Sequence, residues 1–242
     1  MKILSWNILA DEFVKERYYP MIPADIVVHR KQRQQQIITM LNQMATDVML
    51  LQEVMVTEYN LIVAAFKKTH HIIRGKNIKW QQKQSNSSNV TLLSKSMFTV
   101  RANHRSDLKF GLIVRCYLNS EPVVVINVHL DDLLPEKRIQ QIDELLPSFI
   151  NNAKVIIGGD FNENYAPMAN AGGIYEWIKN SGMKIFNQKP TYYVNRKMCI
   201  DNIMVKGLVF KNKAAQVVND FGADITKQYE AYGSDHLPVV LF

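Results

Sequence analysis

Six apolar, strand-like runs in this 242-residue chain stop on an acid, an amide or an imidazole. The stops are Asn7, Gln52-Glu53, Asn127 with His129, Asp160 with Asn162, Asp201-Asn202 and Ser234-Asp235-His236. This pattern constrains the fold. The apolar body of such a strand belongs in a core, while its polar end must reach a hydrogen-bond partner, water or a ligand. Singly, each stop also reads as a solvated turn, a helix cap or a core histidine. A fold that gathers all six at one rim makes a single cleft with four acids (Glu53, Asp160, Asp201, Asp235) and two histidines (His129, His236). The sharpest of the six is Val155-Ile-Ile-Gly-Gly-Asp-Phe-Asn-Glu163. Its β-branched start reads as a buried strand. Its two glycines allow a sharp turn or a close backbone approach ahead of the acid.

Between these stops the chain repeats itself. Residues 2–6 read as a strand, and a long connection over 11–28 follows, a length that is often functional in a compact domain. Residues 30–45 read as a helix with Ile37, Ile38, Leu41, Met44 and Ala45 on one face and Lys31, Arg33 and the glutamines mostly elsewhere. Residues 47–51 are a second strand, and Thr57 is the expected N-cap of a helix to about 68. Short strands at 71–74, 89–93, 98–102 and 111–118, separated by polar loops at 81–88 and 103–109, suggest an antiparallel meander. The opening logic then returns. A strand at 122–130 leads into a helix begun by Pro135, with Ile139, Ile142, Leu145, Leu146 and Phe149 in a stripe that Pro147 kinks or ends. The Val155 strand and a short helix near 174–180 follow. Further strands are expected over 198–205, 207–210, 214–218 and 237–242. Strand, helix, strand in each half implies two packed sheets with helices outside. No linker rich in Pro, Gly or Ser divides them, so residues 1–242 read as a single domain.

Composition narrows the chemistry. Lys and Arg total 29 against 22 Asp and Glu, for a pI near 9.3. That balance favours a polyanion such as nucleic acid as partner, with plain solubility as the alternative. Clustered carboxylates without a cysteine or histidine cluster suit a hard cation, Mg²⁺ or Mn²⁺, rather than zinc. The two cysteines, Cys116 and Cys199, have no metal-like spacing, and so few imply a reducing compartment. No export signal and no membrane-length apolar run is evident. The expectation is therefore an intracellular protein, cytoplasmic or nuclear, off the membrane and monomeric. The Asn86-Ser-Ser88 and Asn89-Val-Thr91 tripeptides are then incidental polar residues rather than glycosylation sites.

The six pieces, read as Ser-Trp-Asn7, Leu-Leu-Gln-Glu53-Val, Asn-Val-His129-Leu, Gly-Gly-Asp160-Phe-Asn162, Ile-Asp201-Asn-Ile and Gly-Ser-Asp235-His236, resemble the endonuclease/exonuclease/phosphatase superfamily. They stand in that superfamily's order over nearly the whole chain. The resemblance implies its DNase I-like fold, a four-layer α/β sandwich of two packed mixed sheets flanked by helices. Within the superfamily, Trp6-Asn-Ile-Leu-Ala-Asp11, Arg17-Tyr18-Tyr-Pro20, Arg30-Lys31 and Pro190-Thr-Tyr-Tyr193 are most similar to the carbon-catabolite-repressor deadenylases and their nocturnin- and angel-like relatives. The chain is shorter than those catalytic domains, and Asn202 stands where an aromatic residue is more usual.

The resemblance also implies chemistry: metal-assisted phosphodiester hydrolysis with in-line attack by water. Glu53 would be the main Mg²⁺ ligand, with Asn7 and Asp235 beside it. Asp160 would orient or deprotonate the water, and Asn162 would hold that water or a phosphate oxygen. His236 would donate to a phosphate oxygen, with Asp201 orienting it, and His129 would contact the phosphate or assist the leaving group. Tyr18, Tyr19, Tyr192 and Tyr193 are candidates for stacking on bases. The resulting expectation is a 3′-to-5′ exoribonuclease of poly(A) deadenylase type acting on single-stranded RNA. The alternatives are a DNA-repair phosphodiesterase (5′-tyrosyl or abasic-site), a 2′,5′-oligoadenylate phosphodiesterase, an RNA-end phosphatase, or a non-catalytic nucleic-acid-binding module.

Overall fold

The computed structural model describes residues 1–23, 29–80, 83–101, 105–165, 173–194, 196–218 and 224–242, the side chains of 78–80 and 83–85 excepted. Two mixed sheets face each other. The first has the order β12 (Gln216–Val217), β13 (Val239–Leu241), β1 (Ile3–Asn7), β2 (Val48–Val54), β4 (Lys83–Ser94), β3 (His70–Trp80). The second runs β10 (Lys184–Ile185), β11 (Asp201–Lys206), β9 (Val155–Asp160), β8 (Glu121–His129), β7 (Gly111–Leu118), β5 (Phe98–Thr99), and β6 (Arg105–Leu108) also pairs with β7.

Each sheet is built on one parallel pair. In the first, β1 and β2 align Ile3 with Val48 and Asn7 with Gln52, and helix α1 (Arg30–Met44) connects them. In the second, β8 and β9 align Val124 with Val155 and His129 with Asp160, and helix α3 (Pro135–Ile150) connects them. The remaining pairs are antiparallel.

These central strands are buried on both faces, which is why they read as continuous apolar runs. Ile3, Val48, Leu50, Val125, Ile156 and Ile203 fill the layer between the sheets. Their alternate neighbours Leu4, Trp6, Met49 and Leu51 pack outward with Ile37, Leu41, Ile62 and Tyr232, from α1, α2 (Val56–Phe66) and α5 (Ile225–Tyr232). On the opposite side Val124, Ile126, Ile157 and Met204 meet Ile142, Leu145, Phe149 and Ile178, from α3 and α4 (Ile174–Asn180). The sandwich expected from the paired strand–helix–strand units is therefore the observed fold.

Several local expectations are corrected. The supposed meander is split, with β3 and β4 in one sheet and β5, β6 and β7 in the other. The polar stretches expected as loops contain strand: β4 begins at Lys83, and β6 covers Arg105–Leu108. Thr57 does not cap α2. Met55 holds the cap position, and the Thr57 hydroxyl bonds Glu58. Helix α3 runs through Pro147 to Ile150. The proline lies in the last turn, and Asp143, whose carbonyl loses its partner, is exposed. Ile139 is exposed, so the buried stripe is carried by Arg138, Ile142, Leu145 and Phe149. Residues 207–210 form no strand. The sequence reading missed α5 altogether.

Candidate functional site

Side chains alternate along a strand, so every second residue of the central strands faces the layer between the sheets. At one rim that layer turns from apolar to polar. On β1 the inward series is Ile3, Ser5, Asn7; on β2 it is Val48, Leu50, Gln52. On β8 it is Val123, Val125, Asn127, His129; on β9 it is Ile156, Gly158, Asp160. Beneath the rim, Gln52 Nε2 donates to Asn127 Oδ1 at 2.8 Å, tying the two sheets together. Asn127 Nδ2 donates to the Leu51 and Val90 carbonyls, and Asn89 Nδ2 donates to the Asn127 carbonyl.

Glu53 follows Gln52, and regular alternation would turn it away from this layer. A bulge between Leu51 and Val54 and a left-handed backbone at Glu53 (φ 59°) bring it back. Its Oε1 accepts from Asn7 Nδ2 at 2.9 Å and its Oε2 from the Ala10 amide at 2.8 Å. Leu9 (φ 59°) and Asn162 (φ 50°) are also left-handed. Non-glycine residues held in this region carry strain of about 1–3 kcal/mol each, and three of them flank one rim.

Asp160 sits at the centre. Its Oδ1 accepts from the Asn162 amide at 2.9 Å and its Oδ2 from Asn7 Nδ2 at 3.1 Å. His129 Nε2 and His236 Nε2 approach that same Oδ2 at 3.6 and 3.7 Å, and His129 Nε2 lies 3.9 Å from Glu53 Oε1. These spacings exceed hydrogen-bond length. His236 is held from behind: its Nδ1 lies 2.9 Å from Asp201 Oδ2, which also accepts from Thr191 Oγ1 at 2.5 Å. Trp6 Nε1 donates to the His236 carbonyl, and Ser234 Oγ donates to the Asn7 carbonyl. Tyr19 OH donates to Asp235 Oδ2 at 3.1 Å.

Electrostatics follow from burial. Burial raises the carboxyl groups of Glu53, Asp201 and Asp235 above the ordinary carboxylate range, and a neighbouring acid raises each further; nearby histidines and hydrogen bonds offset part of this. Burial alone would pull His236 down. The combined charges of Asp201, Asp160 and Asp235 outweigh it and hold the imidazole well above its usual value.

A concentration of buried carboxylates that resist ionising is relieved by a bound cation, and oxygen donors without sulfur suit a hard one. Among the described residues one trio, Asp160, Asp201 and His236, offers ligand atoms within 4.8 Å of one another. In that trio His236 Nδ1 is already committed to Asp201. Glu53 and Asp235 add carboxylate oxygens of the type a hard cation takes, and Asp235 Oδ1 is buried without a hydrogen-bond donor, whereas Asn7 turns Nδ2 to Glu53 and accepts the Leu9 amide at Oδ1.

The structure thus gathers Asn7, Glu53, His129, Asp160, Asn162, Asp201, Asp235 and His236 at one rim. The Asn162 side chain gives one Nδ2 hydrogen bond to the Leu130 carbonyl at 2.9 Å. The tyrosines divide. Tyr18 is 45% exposed, and the Tyr192 ring lies 5.1 Å from that of His236. Tyr19 and Tyr193 are buried in apolar clusters, where neither ring offers a face to a base, so stacking by these two is corrected. Sequence reasoning missed Arg33 and Thr191. Arg33 is 2% exposed and sits four residues before Ile37 on the buried stripe of α1. That spacing was the available signal.

Comparison with known proteins agrees with this picture. No curated protein matches the chain. Among solved structures, ANGEL2, a 2′,3′-cyclic phosphatase crystallised with adenosine-2′,3′-vanadate, is 16% identical with a TM-score of 0.71, over 99% of this chain and 94% of that one. Truncated Caenorhabditis elegans TDP2 is 19% identical with a TM-score of 0.65, covering 100% and 96%. A functionally unknown protein from Enterococcus faecalis is 17% identical with a TM-score of 0.69, covering 100% and 98%. Identities this low establish a shared fold. A model of the Endonuclease/Exonuclease/phosphatase family matches residues 4–236, from the second residue of β1 to the histidine that Asp201 holds. With the whole second sheet, all of the first but its β13 strand and the first residue of β1, and every strand-end acid inside that span, the chain belongs to the endonuclease/exonuclease/phosphatase family of phosphoester hydrolases.

Proposed function

We propose that the protein hydrolyses phosphodiester bonds in nucleic acid with Mg²⁺ or Mn²⁺ as cofactor, as a 3′-to-5′ exoribonuclease of deadenylase type. The observation that carries this reading is the convergence of His129 Nε2 and His236 Nε2 on Asp160 Oδ2, with Glu53 Oε1 near His129 Nε2, at distances too long for hydrogen bonds. Such spacing suits a group of opposing charge and polarity, and a phosphate beside a cation is one. Glu53, Asn7 and Asp235 would hold the cation, which supplies charge neutralisation for the phosphate and the departing oxygen. Asp160, fixed at both oxygens by Asn162 and Asn7, would orient the attacking water and take its proton. Asn162 would hold Asp160 through its backbone amide, and its side chain, with one N–H given to the Leu130 carbonyl, keeps a second N–H and Oδ1 for the water or a phosphate oxygen. His236 would donate from Nε2 to a phosphate oxygen as charge builds there, kept cationic by Asp201. His129 would contact the phosphate or the leaving oxygen. Tyr18 and Tyr192 remain the candidates for stacking on a base.

A second reading keeps the site and changes the substrate to an RNA end. It is favoured by the likeness to ANGEL2 over 99% of this chain. A panel of labelled oligonucleotides with Mg²⁺ separates the two: RNA with a 3′ adenosine tract behind a mixed 5′ sequence, the same RNA ending in a 2′,3′-cyclic phosphate, a 5′-tyrosyl DNA, an abasic duplex and a 2′,5′-linked adenylate. A ladder ending at the last adenosine supports deadenylation. Loss of the cyclic phosphate without shortening supports the second reading. Cleavage of the DNA substrates alone refutes both.

A further inference from the structure

We infer that Arg33 is a positioning residue for the cation side of the cleft, fixing the chain after Asn7 and the chain before Asp235 in one frame. The inference rests on the proposed role of Asn7, Glu53 and Asp235 as cation ligands. Arg33 is 2% exposed and lies behind the rim, where it touches none of the groups that would meet substrate. Its Nη1 donates to three main-chain carbonyls: Ile8 at 3.0 Å, Leu9 at 2.8 Å and Gly233 at 3.0 Å. Its Nη2 pairs with Asp11 and lies 3.5 Å from Glu58 Oε1.

Those carbonyls belong to the two segments that bear on the ligands. Residues 8–10 carry the strained Leu9, whose amide donates to Asn7 Oδ1, and the Ala10 amide that holds Glu53 Oε2. Gly233 leads directly into Ser234, Asp235 and His236. The fold also accommodates this contact at Gly233 itself. Its φ is 68°, and a Cβ there would stand 2.5 Å from Arg33 Cγ. A buried guanidinium is costly, and here Nη1 and Nη2 meet acceptors while Nε is buried without one. The planar fork of arginine can reach several acceptors at once, which the single ammonium of lysine cannot do. The buried charge is therefore spent on fixing two stretches of backbone from opposite ends of the chain, Ile8–Leu9 and Gly233.

Calorimetric titration of the purified full chain with Mn²⁺ tests this without any substrate. Arg33→Lys is expected to weaken Mn²⁺ about tenfold, as loss of outer supports of a metal site does. Asp11→Asn, which releases one anchor and is less exposed to misfolding, is expected to weaken it about threefold by the same route. Phe149→Leu, in the outer layer of the other sheet, should lower Tm while leaving Mn²⁺ affinity unchanged. Both Arg33→Lys and Asp11→Asn binding Mn²⁺ as tightly as the unaltered protein would overturn the inference. So would Phe149→Leu weakening Mn²⁺ as much as they do. If the unaltered protein itself takes up no Mn²⁺, the metal-site reading beneath it fails instead.

Discussion

The two strand–helix–strand units, β1-α1-β2 and β8-α3-β9, bring equivalent positions to the same rim. By register, Asn7 corresponds to His129, Gln52 to Asp160, and Leu51 to Gly159. Yet they furnish different chemistry. In the second unit the acid lies at the regular inward position and needs only glycines behind it. In the first unit the regular position holds Gln52, which is spent on tying the sheets together, and the acid is the next residue, re-aimed by a bulge. The interior differs to match. Leu50 of the first unit reaches across to Gly158 of the second, where a Cβ would come within 2.6 Å of it. The frame supplies equivalent positions; departures from regular backbone decide which become acidic.

The largest expected effects separate the units. Asp160→Asn should keep its fold and lower kcat roughly a thousandfold, about 4 kcal/mol of barrier. It should retain most of the Tm gain that millimolar Mg²⁺ gives the unaltered protein. Glu53→Gln should lose comparable activity and that Tm gain as well, since a ligand bound only by the folded state stabilises it. If the two variants behave alike in both assays, the proposed division between a cation side and a water side collapses. Gly159→Ala should cost about 3 kcal/mol or more of stability. Gly159 has φ 154°, and a Cβ would stand 2.0 Å from the Val128 carbonyl oxygen. Chemical denaturation reads this directly, and an unchanged midpoint would refute the close approach.

A smaller effect tests the cation side by pH. Glu53 and Asp235 are raised on folding by burial. A raised carboxyl contributes stability that is present below its unfolded value and lost as pH rises through its folded one. The metal-free protein should therefore lose this contribution as pH rises above the ordinary carboxylate range, and the Tm gain from Mg²⁺ should grow over the same rise. A gain that shrinks toward neutral pH would contradict it. Smallest is Tyr19→Phe, which removes the hydroxyl donated to Asp235. It should raise the Mg²⁺ concentration for half-maximal activity by about tenfold or less, within the range for outer supports of a metal site. An unchanged value would mean the hydroxyl only packs.

Most of the candidate site was legible because it was written at strand ends, where a period of two and an abrupt polar stop can be seen in the chain itself. What was not legible is instructive. No local signal announces that Glu53 adopts φ 59°; the bulge is enforced by neighbouring strands. The start of β4, rich in serine, asparagine and glutamine, has no alternation to betray a strand. Two features were legible but overlooked. Asp224 caps α5 through the Lys227 amide, and Gly233 ends it in a left-handed turn, the start and stop signals of a helix. Arg33 falls on the Ile37–Leu41 stripe, yet its charge argued for the surface. Tyr19 and Tyr193 misled in the other direction, since an aromatic near a functional stretch reads equally as platform or as packing.

The most direct test of the central claim is a cleavage time course on 5′-labelled RNA with a 3′ adenosine tract, run with Mg²⁺ and with chelator, for the unaltered protein and Asp160→Asn. The account predicts stepwise shortening of the RNA that needs Mg²⁺ and falls about a thousandfold in the variant. Equal shortening by both proteins, or shortening that persists in chelator, would contradict it.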